Sequence, residues 1–83
     1  MRVTSATMLA NALRDRRKQR GQSQQEAADS IGVKQTTVSS FETGPEHTKL
    51  STLFKLLTAL QLELHVVPRG SSVNTDEDWQ QEW

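Results

Sequence analysis

Residues 23–44 read SQQEAADSIGVKQTTVSSFETG, and the way this stretch folds decides the architecture around it. Ser23 followed three residues later by Glu26 is a capping box. The serine hydroxyl accepts from the Glu26 N–H and the glutamate accepts from the Ser23 N–H, which satisfies two donors that a helix start leaves open. A short helix is predicted to follow, with Ala27, Ala28 and Ile31 as its apolar contacts. Gly32 closes it, at the place where a left-handed backbone is favoured. The chain resumes as Lys34-Gln35-Thr36-Thr37-Val38-Ser39-Ser40-Phe41-Glu42, where only Val38 and Phe41 are apolar. That spacing of three predicts a helix burying one narrow stripe and exposing the rest.

On the N-terminal side, residues 5–20 read SATMLANALRDRRKQR. Leu9 and Leu13 lie one turn apart, Ser5 is the expected N-cap and Gly21 the expected stop. The second half carries Arg14, Arg16, Arg17, Lys18 and Arg20, cations suited to the negative end of the helix dipole. On the C-terminal side, Gly44-Pro45 marks a loop over residues 43–48. Leu50, Leu53, Phe54, Leu57 and Leu60 then recur at intervals of three and four, with Leu56 beside them, and are expected to form the core face of a fourth helix. From Leu62 the period becomes two: Leu62, Leu64 and Val66 alternate with Glu63, His65 and Val67 until Pro68, which reads as a strand. It is the one strand candidate in the sequence, and an isolated strand leaves its backbone donors and acceptors unpaired. Pairing with its own copy across a two-fold axis removes the difficulty.

The chain has 83 residues, enough for one domain, and only 34% of them are apolar. A core this modest needs reinforcement, and with no cysteine present the expected source is a second subunit. The same absence, with His47 and His65 far apart, argues against a metal centre, and no cofactor is expected. The opening MRVTSATMLANAL is too interrupted by polar residues for a secretory or membrane segment, so a cytoplasmic location is expected. Net charge is zero, yet residues 1–69 hold all ten Lys and Arg against six acids, while Asp76, Glu77, Asp78 and Glu82 crowd into the end. A basic body joined to an acidic tail speaks of partners and not of fold.

Two short helices joined by a tight turn, the second with a polar face, form the pattern of a DNA-binding helix-turn-helix. The chemistry of that second helix raises the specificity of the pattern. Gln35 can pair bidentately with adenine, Lys34 can donate to guanine, and Thr36 and Ser39 can donate, accept or set a methyl group against thymine. These residues occupy the N-terminal half, where a recognition helix keeps its base readers. No glycine-rich phosphate loop, nucleophile elbow or cluster of titratable groups accompanies them, so an enzyme is not expected.

The segment from about Leu9 to Leu60, centred on SQQEAADSIGVKQTTVSSFETG, resembles the Cro/repressor-type (XRE) helix-turn-helix family. The basic first helix, the leucine- and phenylalanine-rich fourth, the LELHVV run and the final Glu-Trp extend this resemblance over nearly the whole chain to the HipB-like antitoxins. The resemblance implies a mostly α, compact bundle of four to five helices, with one C-terminal β-strand pairing across a homodimer. It divides the chain into a DNA-binding domain at 1–61, a dimerisation strand at 62–68 carrying Leu62, Leu64 and Val66, and a flexible acidic tail at 69–83. Base reading falls to Lys34, Gln35, Thr36 and Ser39. Gln24 binds phosphate and braces Gln35, while Thr37, Ser40, Lys49 and the cationic end of the first helix, Arg17 and Arg20, are expected at phosphates, which orient without specifying sequence. The implied partners are double-stranded operator DNA, bound as a palindrome ahead of the chain's own operon, and a HipA-like serine/threonine kinase toxin that is bound and neutralised.

The tail ends in DEDWQQEW, with both tryptophans of the chain, Trp79 and Trp83. Thr75 can cap a nascent helix placing them on one face, but so short a helix is marginal in water, so a partner surface is expected to order it. Among HipB-like proteins the terminal tryptophan is a handle for the toxin or for a protease, which favours Trp83 over Trp79. The opposing reading folds the acidic tail onto the chain's own basic body. Two other functional readings stand beside the antitoxin: a stand-alone repressor with no toxin partner, and a protein-interaction module whose helix-turn-helix is vestigial.

Overall fold

A computed structural model describes residues 2–70. Four α-helices follow one another: α1 Ala6–Gln19, α2 Gln24–Ile31, α3 Gln35–Thr43 and α4 Leu50–Ala59, with a single 3-10 turn, Pro45–His47, between the last two. Ser5 caps α1 by accepting from the Met8 N–H at 3.1 Å. The capping box of α2 is complete, the Ser23 hydroxyl accepting from Glu26 at 3.0 Å and the Glu26 carboxylate accepting from the Ser23 N–H at 2.8 Å. Ser23→Ala is therefore expected to lower stability by about 1 kcal/mol in urea unfolding. An unchanged midpoint would mean that the box is replaced by water at no cost.

Three of the helices close in the same way. After α1 and α2, Gly21 and Gly32 take φ values of +69° and +71°, and the chain folds back through paired bonds such as Val33 N–H to Ala28 C=O at 3.1 Å. α4 closes through the equivalent pair, Gln61 N–H to Thr58 C=O at 3.1 Å and Leu62 N–H to Leu57 C=O at 2.9 Å, with Gln61 at φ +57°. A side chain there crowds its own backbone. The turn is held because it returns Leu62 to the core, against which Leu62 packs half-buried. Gln61→Gly should raise stability by about 0.5–1 kcal/mol, the relief of the left-handed residue outweighing the added freedom of the unfolded chain.

The core joins all four helices: Ala10 and Leu13 from α1, Ala28 from α2, Val38 and Phe41 from α3, and Leu56, Leu57 and the adjoining Leu60 from α4. The face of α4 differs from expectation. Leu57 and Leu60 are buried and Leu53 half-buried, but Leu50 is 71% and Phe54 51% exposed, their places being taken by Leu56 and Ala59. The apolar residues of α4 span more than one stripe. The set 53, 56, 57 and 60 obeys helical spacing as well as the predicted set does, and it is the one that meets the other helices.

Residues 62–68 form neither helix nor paired strand, and no strand occurs among the described residues. A strand requires a second edge, which a single copy does not supply. The tail from residue 71 onward, with Trp79 and Trp83, lies outside the described residues. Among those described, no helix is long and apolar enough to cross a membrane.

Candidate nucleic-acid interface

The turn between α2 and α3 sets the recognition surface. Lys34 precedes the first turn of α3 as its N-cap residue, without a side-chain capping bond, and is exposed. Thr36 is exposed and Ser39 half-buried, and with Gln35 they lie at helical positions one, two and five of α3, which places them along one side. Gln35 is half-buried because its amide is tied down: Nε2 donates to Gln24 Oε1 at 2.5 Å. Gln24 stands at the first position of α2, so the two helix starts are latched to each other. Its own Nε2 donates to Glu42 Oε1 at 3.0 Å.

Glu42, at the far end of α3, is in turn held by Arg17. The guanidinium donates from Nε to Oε2 at 2.7 Å and from Nη2 to Oε1 at 3.1 Å, and its Nη1 donates to the Gln22 carbonyl at 2.8 Å. The two side chains are only 10% and 6% exposed. Arg17, expected at a phosphate, therefore faces the interior with its donors engaged. Its reassignment follows from helix geometry: within the cationic run of α1, position 17 falls one turn beyond the buried Leu13 and shares its inward face. Arg16 is also drawn inward, Nε donating to the Leu60 carbonyl at the end of α4 at 3.1 Å. Arg14, Lys18 and Arg20 remain exposed, with Arg20 donating to Gln22 Oε1 at 3.3 Å.

Burial pushes the Glu42 carboxyl up, but hydrogen bonds from Arg17 and Gln24, with the charges of Arg17 and Arg14, outweigh it and hold the carboxyl below its ordinary range. Because the folded state binds this proton less readily than the unfolded state, the stabilisation is full above the usual carboxylate range and is lost as pH falls through the lowered value. Melting temperature should be level above about pH 5 and fall below about pH 4, with a shallower acid limb in Glu42→Gln. Equal acid limbs in both proteins would assign the loss to other carboxylates, such as Glu26, which the Ser23 N–H and then the Ser23 hydroxyl also hold low.

A shallow open pocket beside the recognition side of α3 brings Thr36, Thr37 and Ser40 together with Lys49, and adds His47, Thr48 and Thr52, none of which was expected at DNA from the sequence. No side chain caps the start of α4 and its first turn carries no acid, so the positive end of this helix borders the pocket. Thr48-Lys49 directly before an uncapped helix was the available signal, since helix starts favour phosphate. A second, larger groove runs between α1 and residues 62–65, lined by Leu9, Leu13, Leu57, Leu62 and Leu64. Of the expected dimerisation residues, Leu62 is thus half-buried against the core, while Leu64 and Val66 are 48% and 70% exposed. Among the described residues no group of His, Cys, Asp and Glu is placed to hold a metal ion.

Known proteins share this helix-turn-helix fold. The helix-turn-helix family matches residues 13–67. The antitoxin HipB of Escherichia coli strain K12 is 40% identical over 99% of this chain and 94% of its own length. HipB of Escherichia coli O6:H1 strain CFT073 is also 40% identical, over 99% of this chain and 88% of its own length. Among solved structures, a HipB–O4 20mer complex and a HipA–HipB–O2–O3 complex each superimpose with a TM-score of 0.81 at 42% identity, covering 83% of this chain and 97% of the other.

Proposed function

The chain belongs to the helix-turn-helix family and, within it, to the HipB antitoxins, and from that premise we propose that it is a dimeric antitoxin repressing its own operon and restraining a HipA-like serine/threonine kinase. The observation that carries the DNA half is the latched Gln35 at the start of α3, with Lys34, Thr36 and Ser39 around it. Those four read bases. Gln24, Thr37, Ser40, Arg20 and Lys49, joined by His47, Thr48 and Thr52, meet the phosphates on either side. Relatives solved in complex with a 20mer, which we read as an operator duplex, and with HipA support both partners.

Dimerisation is part of the proposal. Residues 62–68 pair with their own copy, and Leu50, Phe54, Leu64 and Val66, left in water by the single chain, are the apolar surface available to a second subunit. The paired recognition helices would then sit roughly 34–36 Å apart, one turn of duplex, on a palindromic site. Beyond residue 69 the tail carries the kinase contact or the signal for a protease, with Trp83 as the principal handle and Trp79 behind it. The protein performs no chemistry in this scheme; it binds and restrains.

The test uses the chain co-expressed with the kinase of its operon, and its own upstream DNA. The full chain should shift that DNA and co-purify with the kinase, whereas a chain cut after Arg69 should still shift DNA but lose the kinase. Kinase binding by neither form would leave a repressor without a toxin. Affinity should fall steeply with salt as counterions are released from the duplex, and a flat response from 50 to 200 mM, roughly the range over which such proteins lose about 1,000-fold or more, would contradict DNA binding through phosphates.

A further inference from the structure

Resting on the base-reading role of α3, we propose that Glu42 is a specificity-positioning residue: it sets the polarity of the Gln24 and Gln35 amides and so makes the start of α3 select adenine over guanine. An ionised carboxylate only accepts and a guanidinium only donates. Arg17 occupies both oxygens of Glu42, which fixes the carboxylate in the protein interior. The Gln24 atom 3.0 Å from Glu42 Oε1 must then be its NH2 group, and the Gln24 oxygen is turned toward Gln35. That oxygen accepts only, so the Gln35 atom against it must also be NH2.

Two amides on their own can pair either way round. The carboxylate decides between the two arrangements, and its choice passes outward through Gln24 to the residue that meets the base. Gln35 keeps one N–H for the ligand beside an oxygen. This donor–acceptor order matches the N7 acceptor and N6 amino donor of adenine. Guanine presents N7 and O6, both acceptors, and would meet the Gln35 oxygen with an oxygen. If both amides turned over, the order would be reversed and adenine would lose both bonds. Glu42 touches no base, so its influence is entirely through the orientation of its neighbours.

The experiment selects, from a duplex library with randomised half-sites, the sequences bound by the full chain, by Gln35→Ala, by Glu42→Gln, and by Arg17→Met combined with Glu42→Leu. The last variant removes the acceptor and its buried cation together, and so keeps the test available if Glu42→Gln is unstable. The position whose preference disappears in Gln35→Ala identifies the base that Gln35 reads. At that position, and there alone, the adenine-to-guanine preference should fall about tenfold in the Glu42 variants, the size of one bidentate pair. In the free protein, the side-chain NH2 signals of Gln24 and Gln35 should also move toward solvent-exposed values in both variants. A retained preference, or an equal weakening at every position, would reduce Glu42 to a structural residue while leaving base reading intact. If no position depends on Gln35 in the first place, base reading by Gln35 is overturned and this assignment with it, and any preference that remains belongs to Lys34, Thr36 and Ser39.

Discussion

Glu42→Leu is expected to lower stability by about 3–5 kcal/mol, the largest loss that any single exchange at this surface should produce. The removed carboxylate is not the main cost. Arg17 keeps its charge, its side chain is 10% exposed, and what remains to it is the Gln22 carbonyl. A cation held away from water without its counter-ion loses hydration that nothing replaces. A chain of this length has roughly 4–12 kcal/mol in total, so the variant approaches the unfolding threshold at room temperature. Urea unfolding followed by circular dichroism measures the effect. Combining it with Arg17→Met should recover most of the loss, because two apolar side chains of similar volume pack where the ion pair stood. A single exchange costing under about 1 kcal/mol would show that Arg17 swings out to solvent, and would disprove the buried pair.

The second large effect concerns recognition. Gln35→Ala should weaken binding to the cognate half-site by about 1–3 kcal/mol, and by up to twice that on a palindrome read by both subunits. Random duplex should be bound nearly as before, since Gln35 contributes little to the phosphate contacts. Lys49→Ala should behave in the opposite way, weakening all sequences alike and reducing the salt slope by about one. Titration of specific and random duplex at several salt concentrations distinguishes the two patterns. Equal losses on both duplexes for Gln35→Ala would move that residue from the bases to the backbone.

The helix-turn-helix was legible because its signals are local. Ser23 with Glu26, Gly32, and Val38 with Phe41 each act within one or two turns, and the structure uses all of them. What escaped the sequence depended on distant partners. Arg17 belongs to a run of five cations; its place one turn beyond Leu13 puts it on the inward face, but the counter-ion that lets a cation stay there, Glu42, lies 25 residues away. On α4 the apolar pattern exceeds one face, and which stripe is buried is settled by the packing of the other helices, leaving Leu50 and Phe54 outside. Gln61 gave no sign of a left-handed turn because the usual glycine is absent. His47, Thr48 and Thr52 join the hydroxyls of α3 only once the 3-10 turn has folded the two segments together.

The latch between Gln24 and Gln35 also bears on the thermodynamics of recognition. A glutamine free in solvent samples many rotamers, and immobilising such a side chain on a ligand costs about 0.5–1.5 kcal/mol. Here that entropy is given up during folding, when Gln35 is drawn half out of water by a neighbour itself anchored to the interior. The reader is pre-organised, and the affinity it returns at the groove is not diminished by a search for its own geometry.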